Sequence, residues 1–235
     1  MRSLLARLLL LGGVVAATTL SAQNAPAPAV GTDVYHVHFA KAAPGQAEAL
    51  GKSLMVPDKS ASMPEHFVVL RHQEGDDWDY AVIQHLGPKA EVSATTPPPP
   101  DAVRALSAWH NDTFVSGPSW SQFTKEMGIG ESAASGMVYI LGVHRPVPGH
   151  REQLLKSLNA PGGASKVPTG NVLLQHLEGS DWTFATITRY NSWQDLGSDR
   201  MAAASAGDAA GGWADIRQHS AFHRDTVADR IYPPK

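Results

Sequence analysis

Leu70-Arg71-His72-Gln73-Glu74-Gly75-Asp76-Asp77-Trp78 returns 104 residues later as Leu174-Gln175-His176-Leu177-Glu178-Gly179-Ser180-Asp181-Trp182. Each copy is an apolar-leaning run, a Glu-Gly turn and a Trp, the pattern of a β-hairpin. At the same offset, Val34-Tyr35 returns as Val138-Tyr139, Pro44-Gly45 as Pro148-Gly149, and Lys52-Ser53-Leu54 as Lys156-Ser157-Leu158. One fixed spacing, with nothing inserted across about forty-five residues, marks a unit written twice. Further on the offset becomes 113, where His110-Asn111-Asp112-Thr113 matches His223-Arg224-Asp225-Thr226. The second copy therefore carries nine extra residues, most simply within the Ala/Gly-rich stretch 201–212. In the matching region the first copy has Thr95-Thr96 followed by Pro97 to Pro100, which reads as a loop.

Periodicity gives the order of elements. Residues 34–39 alternate, with Tyr35, Val37 and Phe39 on one face and Val34, His36 and His38 on the other, so they form a strand. Pro44-Gly45 opens a helix over 46–54, where Ala47, Leu50 and Leu54 fall at helical spacing. Residues 67–73 and 78–86 are the two hairpin strands. A second helix is expected over 101–115, with Val103, Leu106, Trp109 and His110 on one side, and a short last strand over 120–124. The order β-α-β-β-α-β is ferredoxin-like, and the second copy follows it from Val138 to Tyr232. The expected boundaries are 33–126 and 137–235 for the two repeats, with a Gly-rich linker at 127–136.

The first strand, the Pro-Gly turn, the Glu-Gly-x-x-Trp hairpin and Arg189-Tyr190-Asn191-Ser192-Trp193-Gln194-Asp195 resemble the dimeric α+β barrel superfamily. The resemblance implies an α+β fold: two tandem ferredoxin-like β-α-β-β-α-β repeats forming one pseudo-two-fold α+β barrel. Each four-stranded sheet then has one face under its helices and one bare face, and pairing the bare faces buries both. The superfamily includes haem-degrading oxygenases, monooxygenases, lactone isomerases, polyketide cyclases and binding proteins without chemistry, so function has to be argued from residues.

Residues 1–22 read as a secretory signal peptide. Arg2 and Arg7 precede an apolar run to about Leu20, with a small-residue site at Leu20-Ser21-Ala22. Residues 23–32 form an Ala/Pro-rich linker. The apolar run is shorter than the roughly 20 residues of a comfortable membrane span, so no stable membrane anchor is expected after cleavage. The chain has no Cys, which excludes disulfides and an acylated lipoprotein anchor. It has 19 Lys and Arg against 22 Asp and Glu; without Arg2 and Arg7 the balance is 17 against 22, a net charge of −5. That sign, and the lack of any Lys/Arg run, argue against a nucleic-acid partner. Oligomeric state is not given by the sequence.

Candidate chemistry centres on His, whose charge changes near neutrality and which binds metals and haem. His72 and His176 share strand faces with Val68 and Leu70, and with Val172 and Leu174, so each lies in the barrel lumen or is a satisfied core residue at a strand end. Trp78 and Trp182, one hairpin turn away, are placed to stack on them and line a ligand site. His110 and His223 fall near the end of the second helix, where the helix dipole favours an imidazolium. Asp112 and Asp225, two residues on, point elsewhere on a helix, so no His–Asp dyad is expected within it. With Tyr35, Val37 and Phe39 packed on the helices, His36 and His38 face the interior as an i, i+2 pair suited to chelation or catalysis. The superfamily's cyclase-like members use a first-strand His. His36, His38, His72 and His176 are thus the catalytic candidates, and Trp78, Trp182, His110 and His223 the ligand-binding ones. Haem and a divalent metal are the compatible cofactors; the sequence names neither. Two functions follow: an exported barrel that binds a small, partly apolar molecule, with oxidative or acid–base chemistry at His, or a non-catalytic exported scaffold for protein contacts.

Overall fold

The computed structural model describes residues 31–88, 100–130, 136–159, 167–206 and 213–234. The expected signal peptide, most of the 23–32 linker, the Thr95-to-Pro99 stretch and the core of the Ala/Gly-rich insertion lie outside the described residues. The elements are β1 (Asp33–Ala42), α1 (Ala47–Leu54), β2 (Phe67–Glu74), β3 (Tyr80–Pro88), α2 (Asp101–Arg104), β4 (Ser107–Gly117) and α3 (Trp120–Glu126). They continue as β5 (Val138–Pro146), α4 (Arg151–Asn159), β6 (Gly170–Glu178), β7 (Phe184–Tyr190), α5 (Trp193–Ala206), α6 (Trp213–His219) and β8 (Ser220–Tyr232).

The eight strands close into an antiparallel barrel in the order β1-β3-β2-β8-β5-β7-β6-β4. The first four strands run β4-β1-β3-β2 around it and the last four β8-β5-β7-β6, the same order twice. Two seams join these halves, β2 to β8 and β4 to β6. No helix among the described residues is long and apolar enough to cross a membrane.

The inward faces meet in one packed cluster. Tyr35, Val37 and Phe39 of β1 pack with Tyr139, Leu141 and Val143 of β5, and Val68, Leu70, Val172, Leu174, Ile83 and Ile187 fill in between them. This corrects the expected orientation of β1. The aromatic face lines the lumen, because the largest apolar side chains of both halves bury most area by meeting there. His36 and His38 therefore point outward. The helices cover the other sheet face, where Leu50 packs on Ala40, Val69 and Tyr80, and Leu154 and Leu158 pack on Phe184.

The expected helix over 101–115 is a single turn, α2, after which β4 begins at Ser107. Val103, Leu106 and Trp109 mimic a helical stripe across a helix-to-strand junction. The β-prone Trp109, Thr113, Phe114 and Val115, with the poor helix formers Asn111 and Asp112 among them, settle as a strand that pairs with β1 along its whole length. His110 is consequently a strand residue, as is His223 in β8. The short strand expected over 120–124 is instead α3. Ser119 caps it, accepting from Gln122 N–H at 3.4 Å, and its Phe123 enters the interior cluster.

Candidate functional site

At one end of the barrel the two Glu-Gly hairpins fold over the lumen. Gly75 and Gly179 turn with φ of 125° and 117°, a region open to Gly at little cost. Each tip leans on the last strand of the other half: Asp76 N–H donates to Thr226 Oγ1 and Ser180 N–H to Thr113 Oγ1, both at 3.3 Å. This places Trp78 and Trp182, both buried, just inside the tips.

Between them lies a cleft of about 360 Å³, lined by Trp78, Trp182, Trp109, Phe222, Phe39 and Leu141 among others. Its polar rim is charge-matched. Asp77 pairs with Lys41, Asp76 with Arg224, and Asp181 with Arg145 at 3.2 Å. Arg145 and Arg224 also stand over the Phe222 ring, at 5.5 and 5.4 Å from its centroid. The neutral donors and acceptors are Asn111, Ser180 and Thr226.

His72 and His176 stand behind the two Trp residues, at ring separations of 5.6 and 5.9 Å and near edge-on. In both, Nε2 is buried without a hydrogen-bond partner among the described residues. Neither lines the cleft. Of the eight candidate residues, only Trp78 and Trp182 do.

Of the other candidate imidazoles, His36, His38, His110 and His223 lie on the outer face. Asp112 Oδ1 accepts from His36 Nε2 at 2.7 Å and His38 Nδ1 at 2.8 Å, and His110 Nε2 lies 3.4 Å from Oδ2. Burial opposes ionisation of Asp112, yet the two hydrogen bonds and imidazole charges hold its carboxyl well below the usual carboxylate range. In the second half, His223 Nε2 donates to Asp225 Oδ1 at 2.8 Å, and its ring stacks on His144 with centroids 4.5 Å apart. Burial, then the His223 charge, pushes the His144 pKa down to about 4. The His–Asp pairing that a helix forbids is thus made twice, because i and i+2 share a face on a strand.

No group of three or more His, Cys, Asp or Glu among the described residues is arranged to hold a metal ion. At the Asp112 cluster the His36 and His38 nitrogens are both engaged in hydrogen bonds to one carboxylate oxygen. Haem does not fit the cleft either, since its lining among the described residues includes no His, Cys, Met or Tyr to serve as an axial ligand.

Three features escaped the sequence reading. The His-x-Asp-Thr match extends upstream into Ser107-Ala108-Trp109 and Ser220-Ala221-Phe222, which would have placed an aromatic on each side of the cleft. At the opposite end, Asp33 accepts from His85 Nε2 at 2.8 Å and from Trp120 N–H at 3.2 Å. His85 Nδ1 is then free to accept from His66 Nδ1, 3.2 Å away. Arg189 and Arg230 are buried at that same end.

No family model and no curated protein matches the chain. Two solved structures do. An anthrone oxidase-like protein is 14% identical, with 86% of this chain and 92% of that chain covered and a TM-score of 0.55. A protein from Lactobacillus acidophilus NCFM, proposed to be a monooxygenase, is 10% identical over 85% of this chain and 94% of that one, with a TM-score of 0.47. The first likeness shows fold: a ferredoxin-like α+β barrel.

Proposed function

We propose that this protein binds a small, uncharged, partly aromatic molecule at the hairpin end of its barrel. The observation that carries this is the cleft between Trp78 and Trp182, walled by Trp109, Phe222 and Phe39. Flat aromatic walls favour a planar guest, and about 360 Å³ is at the small end of ligand pockets. Three carboxylates and three cations around the rim are already paired, so a charged guest would break a pair and a neutral one would not.

The architecture behind this is read as two tandem ferredoxin-like repeats, 33–126 and 137–235, joined at 127–136. The protein is read as exported, to the periplasm or beyond, by the signal at 1–22. His-based chemistry has its geometric support on the outer face, at His36, His38 and Asp112, and not at the cleft. The part of His72 and His176 is to hold Trp78 and Trp182 in place. A second reading, the non-catalytic scaffold, is favoured by the filled lumen.

Titration of the mature chain with 1-naphthol and with anthrone, the latter prompted by one neighbour's name, separates the two. Saturable quenching of Trp fluorescence that is lost in Trp109→Ala supports the ligand-binding reading. Linear, non-saturable quenching by both compounds, unchanged in Trp109→Ala, supports the scaffold.

A further inference from the structure

We propose that Arg230 anchors a buried carboxylate-binding site at the α3 end of the barrel, opposite the cleft. Arg230 sits on β8 across from Leu70 of β2, two residues beyond Ala228, which belongs to the interior cluster. Strand alternation sends its side chain into the lumen, and the residue is only 3% exposed. Its Nε is buried with no hydrogen-bond partner, and its guanidinium joins no ion pair or hydrogen bond among the described residues.

The neighbouring charged groups are already engaged. Arg189, buried at the same end, has partners of its own, among them Thr169 O, 3.1 Å from Nη2. The buried acid at this end, Asp33, is engaged by His85 and by the Trp120 N–H. A buried Lys or His can shed its proton to escape the cost of burial, but a guanidinium stays charged. Only Nε is fully enclosed, so the two Nη groups reach solvent, and an anionic acceptor arriving there would complete the half-satisfied charge.

A carboxylate meets the requirement best. It matches the planar guanidinium fork with two parallel hydrogen bonds. The hydrocarbon remainder of an aliphatic or aromatic acid suits a neighbour such as Leu70, which is buried. The corresponding position in the first half is Gly117, so the site occurs once per chain. It lies away from the cleft and stands independently of what binds there.

The test is thermal unfolding of the mature protein in Tris chloride, titrated separately with acetate, benzoate and inorganic phosphate, beside Arg230→Met. Acetate or benzoate should raise the wild-type midpoint saturably by about 2–4 °C, which for a chain of this size is roughly a fivefold change in the folding equilibrium. Arg230→Met in carboxylate-free buffer should unfold no earlier than the wild type and should lose the response. If that variant does not fold, the Arg230 Nε–H resonance of the labelled wild type serves instead, with a saturable shift on adding benzoate. No saturable effect of either acid, a response kept in Arg230→Met, or a response to phosphate alone would each overturn the proposal.

Discussion

His38 Nδ1 lies 2.8 Å from Asp112 Oδ1, directly across the β1–β4 ladder. The same oxygen accepts a hydrogen bond from His36 Nε2, so one carboxylate ties two strand positions together on the outer face. A carboxyl held low in the folded state contributes stability that is present above its unfolded pKa, near 4, and is lost as pH falls through the folded value. Asp112→Asn should therefore be less stable than the wild type at neutral pH, and the gap should close under strongly acid conditions. The carboxylate is partly exposed, so solvent screening limits the effect to about 0.5–1 kcal/mol. Chemical denaturation across a pH series measures it, and a gap independent of pH would show that the loss is not ionic.

His144 works in the opposite sense. Its folded pKa, pushed down to about 4, lies below the ordinary value near 6.5, so the unfolded chain takes up a proton that the folded chain refuses. Stability should be at full strength above about pH 6.5 and fall as the pH drops toward 4, by roughly 2–3 kcal/mol. His144→Leu should flatten that part of the pH–stability curve, as urea midpoints at pH 7 and pH 4.5 would reveal.

The cleft separates binding from packing. Trp182 is almost fully buried, and Trp182→Ala should cost about 3–5 kcal/mol of stability along with any affinity. Trp109, 37% exposed, lines the same cleft, and Trp109→Ala should lower affinity for a neutral aromatic at least tenfold while costing about 1 kcal/mol or less. Calorimetric titration paired with denaturation gives both numbers. Equal stability losses in the two variants would make Trp109 a packing residue.

The hairpin tips should tolerate no side chain. A Cβ on Gly75 would meet the Asp225 carbonyl oxygen, and one on Gly179 the Asp112 carbonyl oxygen, in each case at a positive φ. Gly75→Ala and Gly179→Ala should each destabilise by about 1–3 kcal/mol or more. The control is Gly45→Ala, where φ is also positive but nothing stands within 4 Å; its cost should be the smaller.

Much of this architecture was legible because hairpins and their turns are local. Glu-Gly-x-x-Trp and Pro-Gly carry their geometry in adjacent residues, and the sequence contains each of them twice. β4 was not legible, since Val103 to Val115 contains a helical turn and a strand whose apolar spacings merge into one false period. That error also hid the His–Asp pairs, which exist only at strand spacing. The direction of β1 was equally out of reach. Both its faces carry rings, and which one faces the lumen is decided by what the other half offers, 104 residues away. Trp78 and Trp182 were found at the cleft because the turn that places them is part of the motif itself.

The two cross-half contacts at the tips are alike in pattern but not in residue: Asp76 answers Ser180, Trp109 answers Phe222, and Asn111 answers Arg224. A barrel assembled from two identical chains would offer a guest on its axis two equivalent poses. Here those poses are inequivalent, because a cation stands on one side and an amide on the other. Carrying both halves in one chain lets the cleft distinguish the two ends of whatever lies in it, giving the cleft a polarity that a symmetric pair could not have.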